Sequence, residues 1–359
     1  MNQENKSKLK QIMDGQPFIS VIVPVYNGSK YLNRCLDALT ASSYKSFEIV
    51  VVDDASTDDS AEIGSKSGVT VLQLSHQSGP AAARNHGAQK ARGDILFFVD
   101  SDIMVQRDTI AQAVADFMEN PHISAVFGSY DDSPDATDFL SQFRNLFHHF
   151  IHQHSHEEAK TFWAGCGAIY REVFYQFGGF DEHRFPKPSI EDIELGLRMW
   201  KSGYRILLDK ELKVKHLKHW EWRSWLKTDI FWRAVPWSQL ILESGFLPRD
   251  LNLQISHRIS AILVSLLIPM VLLAFSDVFF FGITTGGFFF MVSVLLIATL
   301  LLLNRELYTF FLEKRGIKFM TYTIPVHFLY YFYSGSSFVI CWILHKLNRL
   351  RWGLRKILV

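Results

Sequence analysis

The sequence has few cysteines and almost no net charge. Its 359 residues include 3 cysteines, and the formal net charge is +1. The cysteines, at Cys35, Cys166 and Cys341, are scattered, so neither a disulfide framework nor the ligand spacing of a zinc site is visible. The balanced charge gives no global field of the kind that nucleic-acid binding needs.

Two common nucleotide-binding motifs are also missing. The first predicted strand ends in "PVYNGSK" and not in Gly-x-Gly-x-x-Gly, and no Gly-x-x-x-x-Gly-Lys-Ser/Thr sequence occurs. A dinucleotide fingerprint and a P-loop are thereby excluded. The start, "MNQENKSKLKQIMDGQPF", lacks the apolar stretch of a signal peptide. We therefore expect residues 1–16 to form a loose polar tail and the soluble part of the chain to lie in the cytoplasm.

Charge is absent from long stretches near the C-terminus. After Arg258 three uncharged runs follow, Ile259–Ser276, Val278–Leu303 and Phe319–Leu344. Because a helix needs about 20 apolar residues to cross a bilayer, we expect about three membrane segments within residues 258–345. The alternative is a large soluble core. The basic residues 346–359 favour a cytoplasmic C-terminus, which conflicts with three spans and leaves the number open.

Tryptophan is concentrated just before these runs. Five of the 9 tryptophans lie between His216 and Trp237, interleaved with Arg223, Lys227 and Arg233. Tryptophan beside basic residues is typical of the membrane interface. We expect residues 220–257 to form amphipathic interfacial helices, the alternative being an ordinary buried helix pair.

The first 219 residues alternate between strand and helix patterns. The apolar segments "FISVIVPV", "FEIVVV" and "ILFFV" are separated by helical patterns, including one from Ser29 to Ala41. Continuous apolar strands indicate a mostly parallel sheet that is covered on both faces. Ligands of such folds bind beyond the carboxyl ends of the strands. The sequence therefore predicts an α/β domain with a site along that edge.

Polar clusters follow three of these strands. They are Tyr26–Asn27, Asp53–Asp54 and Asp100–Asp102. Asp53 and Asp54 can accept hydrogen bonds from a base or a ribose, or can serve as turn residues in "DDASTDDS". Asp100 and Asp102 repel each other unless a cation intervenes, and their oxygens suit Mg²⁺ or Mn²⁺.

Basic and imidazole side chains supply further candidates for the same site. Arg84 and Arg92 can face a diphosphate or lie on a solvated helix face. His216 or His219, in or after a strand, can give the cation a nitrogen ligand, and His216 is preferred. The histidines of "LFHHFIHQHSHEEAK" accompany phenylalanines at helical spacing. This favours an amphipathic helix with a polar histidine face over a second metal site.

The segment "PSIEDIELGLRMWKSGY" is a predicted helix with acidic residues in its first turn. Ser189 and Asp192 have the spacing of a capping box, and first-turn carboxylates suit the helix dipole. Asp192 is also a candidate general base, because a helix N-terminus mounts a base rigidly.

Taken together, "VIVPVYNG", "VVDDASTDDS", "GPAAARNHGAQKARGDILFFVDSD", "WAGCGAIYR", "GGFDE" and "EDIELGLRMWKSGY" resemble the family-2 inverting glycosyltransferases, which have the GT-A fold. The resemblance covers about Phe18 to Lys218 and implies a domain at residues 17–219. It implies that Asp102 binds the metal, and that Glu191 and Asp192 form the acceptor-side pair, Asp192 being the base. It also implies that Asp53 and Asp54 belong to the nucleotide pocket. The predicted nucleotide-sugar pocket further comprises Pro24, Tyr26, Asn27, Arg84, Asp100 and Ser101. The implied sugar and acceptor pocket comprises Gly165, Cys166 and Gly167.

The resemblance implies transfer of one sugar from a UDP- or GDP-sugar to a hydroxyl of a lipid or lipid-linked acceptor. We expect the protein in a bacterial inner membrane. A polyprenyl-phosphate acceptor is the alternative, followed by a processive polysaccharide synthase and by a non-catalytic nucleotide-binding scaffold. The region "WRSWLKTDIFWRAVPW" lacks the Gln/Arg-x-x-Arg-Trp motif of processive synthases and ceramide glucosyltransferases, which disfavours both of those activities.

Overall fold

The computed structural model describes residues 16–246, 251–280 and 283–357. Internal contacts divide the chain after Trp222 into an N-terminal and a C-terminal unit. The N-terminal unit is a mixed, mostly parallel α/β domain, and the C-terminal unit is helical, so the predicted fold class is confirmed.

The N-terminal unit is built on a 9-stranded sheet of order β3-β2-β1-β4-β8-β6-β9-β5, with β7 paired to β9. The strands are β1 Ile19–Val25, β2 Phe47–Asp53, β3 Thr70–Gln73, β4 Ile95–Val99, β5 Ile103–Met104, β6 Ile123–Tyr130, β7 Glu158–Ala159, β8 Cys166–Tyr170 and β9 Arg205–His216. Strands β1 to β4 are mutually parallel, whereas β8 runs antiparallel between β4 and β6.

Burial explains why these segments are strands. All seven residues of β1 and all five of β4 are buried. Because successive strand residues point to opposite faces, complete burial means that both faces are covered, as the continuous apolar runs predict. Branched and aromatic side chains also favour the extended conformation there.

Among the described residues of this unit, seven helices precede Ser202. They are α1 Ser29–Thr40, α2 Ser60–Lys66, α3 Pro80–Lys90, α4 Thr109–Glu119, α5 Phe139–Gln153, α6 Arg171–Gln176 and α7 Glu191–Lys201. The α1 helix buries Leu32, Leu36 and Leu39 on one face, which is the face that the sequence pattern predicts. The α3 helix begins directly after Gly79 and ends before Gly93.

The predicted capping box at the start of α7 is wrong. Ile190 is the N-cap, with no side-chain capping bond, and the backbone N–H of Ser189 donates to Glu191 Oε2 at 3.0 Å. The helix begins one residue later than the box requires. The Asp192 carboxylate instead accepts bonds described below.

The C-terminal unit contains α8 Trp222–Lys227, a π-helical turn Thr228–Ala234, α9 Val235–Ser244, a 3₁₀ turn Leu251–Leu253, α10 Ile255–Phe280, α11 Ile283–Leu303 and α12 Arg305–Ile357. Gly316, with φ 81°, interrupts α12. Within the described residues one straight helix, Ile255–Ser276, is long and apolar enough to cross a membrane. A pair bent by 68°, Gly287–Leu303 with Arg305–Leu347, raises the number to at most two.

A buried polar network joins α10 to α11 and α12. Tyr331 shares a 2.7 Å hydrogen bond with His257 and donates another of 2.7 Å to Asn304 Oδ1. Asn304, at the bend between α11 and α12, donates to Ser260 Oγ at 3.0 Å. These bonds satisfy polar groups among apolar helices, where each unpaired group is costly.

Candidate active site

The carboxyl ends of β1, β2 and β4 bring the predicted polar clusters to one edge of the sheet. Val25, the last residue of β1, pairs with Asp53 at the end of β2. Tyr26 follows and is 43% exposed, and Asn27 after it is exposed as well. Pro24 lies within β1 and pairs with Val52, so it shapes the backbone at this edge.

Most of the polar groups that are predicted to bind the nucleotide also form hydrogen bonds that fix the loops at this edge of the sheet. Asp54 is buried and accepts from the backbone N–H groups of Ser78 and Gly79 at 2.7 and 2.8 Å. Gly79 opens α3 at φ 90°, and a Cβ there would lie 2.5 Å from the Pro186 carbonyl oxygen. Asp54 therefore fixes the turn into α3, so the turn interpretation accounts for both of its carboxylate oxygens.

Asn27 joins the turn after β1 to the turn after β2, and Asp53 stabilises the turn after β2. Asn27, in the left-handed region at φ 49°, accepts from Thr57 N at 2.8 Å. Asp53 Oδ1 accepts from Ser56 N at 3.1 Å. A Cβ on Gly28 would lie 2.7 Å from Val25 Cγ2 and 3.2 Å from Ser101 Oγ, so a larger residue there would require these side chains to shift.

Arg84 connects the Asp100 segment, which follows β4, to the start of α7. Its guanidinium donates to Asp100 Oδ1 at 2.7 Å and to Glu191 Oε1 at 2.8 Å, and its side chain is only 6% exposed. It therefore does not lie on a solvated helix face. Arg92 pairs instead with Glu48 and is 75% exposed, which places it among surface ion pairs.

The Asp192 carboxylate has the properties of a general base. Its Oδ2 accepts from Ala164 N at 2.9 Å and its Oδ1 from Ile193 N at 2.8 Å. Burial and the neighbouring Glu191 raise the pKa of Asp192 to about 6, against the opposing effect of Arg84. A base is most effective when its pKa is near the working pH. Glu191 itself is buried and forms an ion pair with Arg84, and its carboxylate places a negative charge next to Asp192.

Pairing of β5 with β9 places His216 beside the Asp-x-Asp segment. Ile103 is the register partner of His216, and Asp102 Oδ2 lies 3.8 Å from His216 Nε2. His219 lies instead 3.3 Å from Asp138. Of the two candidate imidazoles, His216 is therefore the one beside Asp102. Lys218 Nζ lies 3.7 Å from the same Asp102 oxygen.

Asp102 and His216 fit part of a divalent cation site. Two donors each about 2.1 Å from one ion are separated by roughly 3 to 4 Å, which the 3.8 Å spacing meets. No group of three His, Cys, Asp or Glu side chains in the described ranges forms a complete metal site. Mg²⁺ commonly takes one or two protein carboxylates and completes its shell with water and substrate phosphates.

The segment of Gly165, Cys166 and Gly167 contacts Asp100 and directly follows Ala164, which contacts Asp192. The Gly165 carbonyl accepts from Asp100 N at 3.0 Å. Cys166 begins β8 with its side chain fully buried, so this residue can contribute to a pocket only through its backbone. A Cβ on Gly165 would lie 2.4 Å from the Trp163 indole, and one on Gly167 would lie 2.4 Å from the Trp163 carbonyl oxygen.

An aromatic cluster that the sequence motifs do not single out lies alongside this segment. Tyr130 stacks on His216 at 4.4 Å and lies 5.0 Å from Trp163 between ring centroids. His148 is 4.4 Å from Tyr130 and 4.9 Å from Trp163. The sequence singles out His216 and the segments that contain Trp163 and His148, but nothing in it singles out Tyr130 or brings the four rings together.

The predicted polar histidine face of α5 is wrong, although the helix is present. His149 and His152 are buried, and their Nδ1 atoms contact the carbonyl oxygens of Tyr130 and Gly128 at 2.7 and 3.1 Å. Burial lowers the pKa of His152 to about 4, so this imidazole is neutral near pH 7. These side chains pack the helix onto β6, which periodicity alone does not distinguish from a solvated face.

Comparison with known proteins gives a consistent result. Residues 20–178 match the sequence model of Glycosyl transferase family 2. An uncharacterized glycosyltransferase of Haemophilus influenzae is 38% identical over 119 residues, which are 32% of this chain and 47% of that protein. The chain thus spans about half the length of this curated relative.

Two further similarities extend over more of the chain. The O-antigen chain rhamnosyltransferase WbaN of Salmonella anatum is 25% identical over 239 residues, or 62% of this chain and 75% of that protein. The solved mannosyltransferase PcManGT of Pyrobaculum calidifontis, in complex with GDP-Man and Mn²⁺, superposes with a TM-score of 0.54 at 18% identity. That match covers 94% of both chains and supports the fold.

Proposed function

We propose that the protein is a nucleotide-sugar-dependent glycosyltransferase of family 2 with the GT-A fold, and that it is a membrane-anchored, metal-dependent inverting enzyme. It moves one sugar from a UDP- or GDP-sugar to a hydroxyl of a lipid or lipid-linked acceptor at the cytoplasmic face of a bacterial inner membrane. The observation that carries the proposal is the Asp192 carboxylate, whose raised pKa suits proton abstraction.

Inversion follows from a single displacement at the anomeric carbon. Asp192 takes the proton of the acceptor hydroxyl as that oxygen attacks, and the nucleoside diphosphate leaves from the opposite side. Ala164 N–H and Ile193 N–H hold the two carboxylate oxygens in place, so the base is oriented before the acceptor arrives. A phosphate acceptor is already ionised and would need no base, so we propose a hydroxyl acceptor over polyprenyl phosphate because the site holds an oriented carboxylate at Asp192.

We assign the donor to the edge formed by Tyr26, Asn27, Asp53 and Asp100. Asp102 and His216 would hold Mg²⁺ or Mn²⁺ there, and that cation supplies positive charge to the leaving diphosphate. The Pyrobaculum mannosyltransferase was solved with GDP-Man and Mn²⁺, and we extend these two ligand classes to this chain as part of the proposal. Arg84 donates a hydrogen bond to Asp100, and in this proposal it acts on the donor through that carboxylate.

The membrane part of the proposal rests on exposed apolar side chains of the C-terminal unit. Along Ile255–Ser276, Ile262, Leu272 and Phe275 are 61, 64 and 71% exposed. A core helix of a soluble protein would bury such residues, whereas a bilayer solvates them. The bent pair that follows likewise exposes Leu295 and Leu302. The interfacial role of residues 220–257 and the three-segment arrangement remain predictions.

The test is donor hydrolysis by the purified full-length protein in detergent. A panel of UDP- and GDP-sugars is incubated with Mg²⁺, with Mn²⁺ or with a chelator, and release of nucleoside diphosphate is measured. We expect one donor to be cleaved in the presence of metal and not with the chelator. Cleavage of none by a folded, metal-supplemented protein would refute the enzymatic proposal, and full activity in the chelator would refute its metal requirement.

A further inference from the structure

The aromatic cluster links the two groups that flank the reaction centre in the proposed function. At one end Tyr130 stacks on His216 with an interplanar angle of 20°. At the other, Trp163 directly precedes Ala164, whose N–H holds the Asp192 carboxylate at 2.9 Å. The cluster therefore extends from the proposed metal ligand to the proposed base.

Trp163 is held in this place by its neighbours. A Cβ on Gly165 would lie 2.4 Å from the indole Cε2 and Cζ2 atoms, so glycine at this position lets the indole approach the backbone. Tyr130 and His148 pack against the ring at 5.0 and 4.9 Å. Trp163, Tyr130 and His148 are only half-buried, so ligand can reach part of their surface.

The rings of Trp163, Tyr130 and His148 offer an aromatic surface and no fixed positive charge of their own. The buried cation of the site, Arg84, is already paired with two carboxylates, Asp100 and Glu191. His152, which lies 5.7 Å from Trp163, is buried with a pKa of about 4 and carries no charge near pH 7. A pyranose ring has an apolar face of slightly positive C–H groups, which is complementary to the negative face of an aromatic ring.

We propose that Trp163, supported by Tyr130 and His148, stacks on a pyranose ring of the acceptor and presents its hydroxyl to Asp192. This inference rests on the proposed function and narrows the acceptor to a molecule that ends in a sugar. Trp163 is then a binding residue for the acceptor, and the lipid or lipid-linked part of that molecule extends away from it.

The experiment compares wild type with Trp163→Leu, which keeps apolar bulk without a ring, and Trp163→Phe, which keeps a smaller ring. Trp200→Phe is the matched control, because Trp200 lies in α7 eight residues beyond Asp192 and contacts Lys160 at 5.2 Å. Octyl β-glucopyranoside, octyl N-acetyl-β-glucosaminide and octyl α-mannopyranoside serve as sugar acceptors. Undecaprenyl phosphate in phosphatidylcholine vesicles serves as the phosphate acceptor, and each reaction contains the donor that wild type hydrolyses.

We expect at least one glycoside to accelerate nucleotide release by wild type. Trp163→Leu should raise the KM for that glycoside about tenfold, the size of one aromatic stacking contact, and by at least five times more than the donor KM. Trp163→Phe should retain most of the affinity, and Trp200→Phe should match wild type. The melting temperature of each variant separates these effects from misfolding.

Two outcomes would overturn the proposal. One is acceleration of wild type by undecaprenyl phosphate and by none of the glycosides. The other is an unchanged glycoside KM in folded Trp163→Leu. Either result leaves donor hydrolysis intact and so leaves the glycosyltransferase function standing. Failure of wild type to hydrolyse any donor would instead remove the proposed function and this inference together.

Discussion

Replacing Asp192 by asparagine separates chemistry from folding more cleanly than any other change in the site. Asparagine has the same shape, and its single carbonyl oxygen can still accept from Ala164 N–H. It cannot take a proton from an acceptor hydroxyl. Removal of a positioned general base costs about 10²–10⁴ in rate, and we expect a loss in that range for single-turnover transfer at saturating donor.

The pKa of Asp192 makes a second, opposite prediction for stability. The folded state raises this pKa from 3.8 to about 6, which corresponds to roughly 3 kcal/mol against the ionised form at pH 7. This penalty is absent below pH 3.8, appears as the pH rises between 3.8 and about 6, and is constant above that. Asparagine carries no charge and therefore avoids this penalty. Its amide has only one acceptor oxygen, so it loses one of the two backbone hydrogen bonds, which is worth about 1 kcal/mol. The variant should therefore be as stable as wild type or up to about 2 kcal/mol more stable at pH 7.

The assay measures transfer, donor affinity and melting temperature together. Wild-type kcat/KM should rise with pH through about 6 as Asp192 ionises, and this limb should disappear in Asp192→Asn. Asp37→Asn, which changes an exposed carboxylate on α1, is the control and should be inert. A loss below tenfold in a folded variant, or an unchanged acidic limb, would reject Asp192 as the base and favour a phosphate acceptor.

Four other changes test different parts of the chain. Arg84→Gln leaves two carboxylates without their shared cation, so it should lower stability by about 3–5 kcal/mol and shift the acidic limb to higher pH, since Arg84 lowers the Asp192 pKa; an unshifted limb would contradict the coupling. Asp102→Asn should nearly abolish metal-dependent hydrolysis, and His216→Gln should raise the Mn²⁺ concentration for half-maximal activity by about 10-fold or more, with His219→Gln as a control near wild type. Equal effects of the two histidine changes would argue against the assigned ligand. Asn304→Leu removes the hydrogen bonds to Tyr331 and Ser260. It should lower the free energy of unfolding of the full-length protein by about 1–3 kcal/mol, which is measured as a lower melting temperature. An unchanged melting temperature would show that the network does not stabilise the protein.

Local patterns were sufficient for the strands and for the edge on which the site lies. The apolar run of β4 is buried on both faces, and Asp100 follows it directly. Such an arrangement is readable because strand burial and strand ends are properties of neighbouring residues. The same reasoning failed at α5, since periodicity gives the faces of a helix without saying what packs on each. There the histidines contact β6 through backbone carbonyl oxygens, which no local pattern encodes.

The contacts that unite the site join residues far apart in the chain. Arg84 and Glu191 are separated by 107 positions and Arg84 and Asp100 by 16. A single sequence presents these residues as a helix face, a strand end and a helix start, and their ion pairs exist only after the sheet is assembled. One consequence follows for the proposed mechanism. Arg84 is buried between Asp100, which we assign to the donor side, and Glu191, which we assign to the acceptor side, and its charge lowers the pKa of Asp192. In that mechanism the donor site and the proposed base share one cation.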